Sequence, residues 1–139
     1  MKMTWLLYAL LGMIFFAGMV LLFKKITLLG VPASILMLFL AIFLVVFYAL
    51  HVTITKTPPK VTSFAIVLII AAAFLSYLGN LFYTKSIALA PNPAYSTTII
   101  SLQVLLIALA SVFLFGSELS LVKGIGIMLA IVAGILLAL

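Results

Sequence analysis

Apolar residues run through this chain in long unbroken stretches, and polar positions fall mainly between them. A helix rising 1.5 Å per residue needs about 20 apolar residues to cross a hydrocarbon core of roughly 30 Å. Five stretches meet that length: residues 5–23, 33–54, 63–90, 95–115 and 121–139. Their punctuation is equally clear. Lys24-Lys25 with Gly30 and Pro32 follows the first, and Lys56-Thr57-Pro58-Pro59-Lys60 separates the second from the third. Pro91-Asn92-Pro93 stops the third, and Gly116-Ser117-Glu118 stops the fourth. A membrane β-barrel shows short alternating segments, whereas these runs are apolar on every side. The pattern therefore predicts an all-α, polytopic integral membrane protein with five transmembrane helices in a single domain, residues 1–139. Its short loops make consecutive helices antiparallel neighbours. The first run is read as a retained span, because it is long and no small-x-small cleavage pattern follows it.

Composition excludes a water-soluble alternative. Hydrophobic residues make up 69% of the 139 positions and charged residues 6%, too few to coat a soluble globule of this size. Seven basic residues against one acid give a formal charge of +6. All seven are lysines, scattered singly or in pairs between apolar runs, and they read as interfacial anchors and topology signals instead of a nucleic-acid footprint. With an odd number of spans, Lys2, Lys56, Lys60 and Lys123 fall on one side and Lys24, Lys25 and Lys85 on the other. Orientation follows excess lysine in short cytoplasmic loops. So even a balance leaves insertion in either direction open.

Polar side chains within the spans carry the candidate chemistry, since each needs a partner or a water-filled cavity to offset desolvation. Ser76, Asn80 and Thr84 are spaced i, i+4, i+8 in the third run with Tyr77 and Tyr83 beside them, forming one polar and aromatic stripe. Two readings fit the stripe: a cavity wall that hydrogen-bonds a substrate, or a helix tie with interfacial tyrosines. In the fourth run Tyr95, Thr98 and Ser101 fall near one face, where hydroxyls can also satisfy themselves on their own helix. Gln103 projects elsewhere and needs an interhelical or cavity partner. Pro91-Asn92-Pro93 reads either as a tight interfacial turn or as a helix break lining a site. His51 stands alone near the end of the second run, as an interfacial hydrogen-bonder or a proton relay. Gly126, Ala130, Gly134 and Ala138 recur every four residues and form a small-residue stripe, a helix-packing seam within one chain or between two. Glu118 reads as a loop clasp with Lys123 ahead of a coupling carboxylate, because a surface carboxylate keeps an ordinary pKa. One His, one Glu and no Cys or Asp supply neither a nucleophile–base pair nor a metal-ligand set. No enzyme, metal or cofactor is expected.

The run YTKSIALAPNPAY from Tyr83 to Tyr95, followed by Phe115-Gly116-Ser117-Glu118, Lys123 and Gly134-Ile135, resembles the EamA-like domain of the drug/metabolite transporter superfamily. The likeness spans the chain and is closest over the last 60 or so residues; Gly12 or Gly18 followed by Lys24-Lys25 fits it more loosely. Gln103 stands where the family often has a proline, and Gly126 and Gly134 are eight apart where the family usually spaces two glycines by seven. The resemblance implies one half of an inverted-repeat architecture. It further implies an antiparallel homodimer or pairing with a related subunit, and alternating-access transport of a small-molecule metabolite across a cell membrane, most simply the cytoplasmic membrane of a prokaryote. The related small multidrug transporters couple protons through a carboxylate in the first helix, and none lies between Trp5 and Phe23. The rival from another class is a non-transporting membrane subunit that scaffolds or regulates a partner protein.

Overall fold

A computed structural model of the chain describes residues 4–116 and 120–138, without the side chains of Trp5, Lys123, Leu137 and Ala138. These residues form α1 (Thr4–Leu28), α2 (Ala33–Thr55), α3 (Ser63–Leu89), α4 (Pro93–Ser101), α5 (Gln103–Phe115) and α6 (Leu121–Ala138), and no strand occurs among them. α1, α2, α3 and the α4–α5 stretch are each long and apolar enough to cross a membrane, and α6 contributes a shorter apolar segment, Gly124–Leu136. The molecule is thus all-helical and compatible with a multi-pass membrane protein.

Helix ends follow local chemistry. α1 continues five residues past the expected stop at Phe23, because lysine is a good helix former and a cation in the last turn favours the negative helix end. The chain turns instead at Gly30, whose φ of +85° lies in the left-handed region. α2 closes in a Schellman arrangement: Lys56 N–H donates to Thr53 O, Thr57 N–H to Val52 O, and Lys56 itself adopts φ 51°. Thr62 opens α3 by accepting from Ala65 N–H on its hydroxyl.

The helices divide into two compact units, residues 1–89 and 90–139. In the first, α3 packs against both α1 and α2. Its core is Val20 and Phe23 of α1, Leu36 of α2 and Ile87 of α3, with Tyr83 and Met37 packed against them. All these residues lie at one end of the unit, where α1 and α3 finish and α2 starts. From Ala41 to Thr55 every residue of α2 is exposed, as is α3 from Ser63 to Tyr77 apart from half-buried Ala65. Exposed apolar surface is no penalty in lipid, where helices associate by packing and hydrogen bonding rather than by escaping water.

In the second unit α4 packs on α6. The expected fourth span begins at Pro93 and is interrupted at Leu102, where Leu102 N–H donates to Ile99 O at 3.1 Å and Leu105 N–H to Leu102 O at 3.0 Å, both tight i→i−3 bonds. Gln103 lies directly after the break. No proline stands at the break. Thr97, Thr98 and Ser101 each donate to the carbonyl four residues earlier, at 2.8–2.9 Å, and such side-chain bonds loosen and bend a helix.

Candidate functional site

The polar stripe of α3 divides by depth. Ser76 and Asn80 are exposed near the middle of the helix, Tyr83 is half-buried against the core, and Thr84 is fully buried. A step of four residues advances 40° around a helix, so Thr84 has rotated some way from Ser76 toward the neighbouring helices. Tyr77 is exposed on the flank. Asn80 Nδ2 donates to Ser76 O at 2.9 Å and lies 3.0 Å from Ser76 Oγ. Its amide N–H groups are thereby turned back onto their own helix, while the amide face remains open. Small residues flank the pair: Ala72, Ala73 and Gly79 are likewise exposed, so a neighbouring backbone or a solute can approach closely.

Thr84 behaves differently from the other helical hydroxyls. Thr53, Thr55, Thr97, Thr98 and Ser101 all donate to the carbonyl four residues back. Thr84 Oγ1 is buried and has no hydrogen-bond partner. Just beyond it, the ammonium of Lys24 on α1 reaches α3, donating to Ile87 O at 3.1 Å and Ala88 O at 3.2 Å. Carbonyls at a helix C-terminus lack intrahelical donors, and the helix dipole concentrates negative potential there. A lysine from a neighbouring helix satisfies both needs. On sequence alone Lys24 reads as an interfacial anchor and topology signal. Its spacing carries no sign of which helix end it would reach, since that depends on how α1 and α3 pack.

The remaining candidates lie in the second unit. Pro91-Asn92-Pro93 forms a compact helix entry: Asn92 Oδ1 accepts from Ala94 N–H at 2.9 Å, and Pro93 takes the first helical position, where no N–H is needed. Tyr95 is exposed at the start of α4, Thr98 is half-buried, and Gln103 is exposed. Of the small-residue stripe, Gly134 is buried, Gly126 and Ala130 are exposed, and the side chain of Ala138 lies outside the described residues. The face of α6 that is covered runs instead through Gly124, Ile127, Ile131 and Gly134, at steps of three, four and three. A Cβ placed on Gly134 would stand 3.1 Å from Leu102 Cδ2, so glycine here permits a close contact within the chain. Glu118 lies outside the described residues, as does the side chain of Lys123. His51 is exposed near the end of α2. Among the described residues no three His, Cys, Asp or Glu side chains gather. No family model, no curated protein and no solved structure matches this chain.

Proposed function

We propose that this chain is a membrane transport subunit with five spans, α4 and α5 together forming the fourth and α6 the fifth. It pairs with a second, antiparallel copy or with a related subunit and moves a small metabolite or amphipathic solute by alternating access. The observation that carries the reading is the exposed Asn80–Ser76 pair near the middle of an otherwise apolar helix. The N–H groups of Asn80 turn back onto Ser76, but an amide oxygen left without a donor in such surroundings costs about 1–3 kcal/mol, and lipid tails offer none. A water-lined cavity or a facing subunit removes that cost, and a cavity formed between subunits does both. The resemblance to EamA-like domains supports the same arrangement, in which two five-helix halves enclose the path.

The test is thermal stability of the purified protein against a metabolite panel, together with uptake into liposomes. A ligand that binds the folded state raises the unfolding temperature by mass action. The expected result is stabilisation by one chemical class, uptake of that class, and loss of both in Asn80→Leu, which still folds and inserts because leucine suits lipid. A well-folded protein that stays monomeric at native density counts against the proposal. If Asn80→Leu dissociates the subunits and leaves ligand affinity unchanged in the surviving fraction, Asn80 is a helix tie. Failure of the entire panel, with stable capture of an unrelated membrane protein, favours the scaffold reading.

A further inference from the structure

We propose that Lys24 is a latch that holds α1 against α3 at one membrane face, and that its release opens the α1–α3 seam to water and small polar groups as far as the hydroxyl of Thr84. Three observations meet at this place. First, Lys24 Nζ bridges Ile87 O and Ala88 O, carbonyls at the very end of α3, through a long, flexible side chain near the end of α1. Charge-assisted bonds of this kind are strong, yet they join one flexible side chain to two backbone groups and can be remade with water at an interface. Second, Thr84, one turn before those carbonyls, is 0% exposed and its Oγ1 has no partner, although a hydroxyl on a helix can ordinarily turn back onto its own backbone. A buried hydroxyl without a partner is costly, and it gains one when the seam admits water or a solute hydroxyl. Third, the packing that would resist opening is confined to one end of the unit: α2 from Ala41 and α3 up to Tyr77 bury almost nothing. That end is the latch end itself, so Lys24 and the small core of Val20, Phe23, Leu36 and Ile87 hold the seam, and the rest of the unit adds little to them. Phe23 and Ile87 are the apolar residues that must move.

The inference goes beyond the transport reading and stands apart from it, because the seam can be probed without any substrate. The chain has no cysteine, so a single introduced thiol reports on one position. The experiment compares the labelling rate of Thr84→Cys by a water-soluble maleimide, in membrane vesicles opened to both faces, in the Lys24, Lys24→Met and Lys24→Arg backgrounds. The thiol is expected to be protected with Lys24. It should label about tenfold faster or more with Lys24→Met, the factor to which ~1.4 kcal/mol of lost clasp corresponds. Protection should return with Lys24→Arg, whose guanidinium can donate to the same carbonyls. Ser96→Cys, buried in the second unit, is the control and should stay protected throughout. Equal labelling of Thr84→Cys with and without Lys24 overturns the latch. So does simultaneous exposure of Ser96→Cys, which would mean that the chain loosens as a whole.

Discussion

At the scale of single residues, polar groups in this chain divide into those that satisfy themselves and those that do not. Thr53, Thr55, Thr97, Thr98 and Ser101 return their protons to their own helix, as their residue type alone suggests. Asn80 does so only in part, because a carboxamide carries two donors and an acceptor, and Thr84 does not at all. Lys56 shows a different tension. It closes α2 with φ 51° and ψ 35°, a region that costs a side-chain-bearing residue roughly 1–2 kcal/mol. Lys56→Gly should therefore raise the unfolding midpoint of the purified protein, by about 0.5–1 kcal/mol in stability once glycine's greater unfolded-state freedom is deducted, and Lys56→Val should lower it. Equal midpoints for the three proteins would show that the cap contributes nothing to stability.

At the scale of elements, the long helices were legible and the interruption of the fourth span was not. Uniform apolarity predicts α1, α2 and α3 to within a few residues, because span length is dictated by membrane thickness. The break at Leu102 is a local switch to i→i−3 bonds, which composition does not state. Leu102 also meets Gly134, whose missing Cβ lets α4 and α6 approach. Gly134→Ala should be well tolerated, because the obstructing atom is the terminal methyl of a flexible leucine 3.1 Å away. Gly134→Leu should cost about 1–3 kcal/mol by overpacking, and Leu102→Ala should restore part of that loss when the two are combined. Thermal unfolding in detergent of the natural protein, the three single variants and the combined one measures these effects. Strict additivity of the two substitutions would mean that the contact carries no energy.

At the scale of the whole molecule, the proposed five-span topology makes charge the determinant of orientation: Lys2, Lys56, Lys60 and Lys123 oppose Lys24, Lys25 and Lys85. Replacing both Lys56 and Lys60 with Gln leaves two lysines against three and reverses the bias. Single cysteines in the α2–α3 and α1–α2 loops, labelled from either side of intact cells, should report mixed orientation for the natural sequence and a shift placing the α1–α2 loop in the cytoplasm for the double variant. An unchanged, fully uniform orientation in both proteins would argue against charge balance as the determinant and against dual insertion.

Helical class, the length of the apolar helices and the positions of the turns follow from the sequence by itself, because backbone hydrogen bonding leaves long apolar runs few alternatives in lipid. Ser76 and Asn80 stand out there too, since a carboxamide in an apolar run is conspicuous without any structure. Only tertiary structure decided that Thr84 turns inward while Asn80 stays exposed, that Gly134 and not Gly126 is covered, and that Lys24 ends on the carbonyls of α3. Those outcomes depend on which faces of neighbouring helices meet. Where every face is apolar, the hydrophobic pattern that orients helices in soluble proteins is missing, and small residues, hydroxyls and one ammonium choose the contacts in its place.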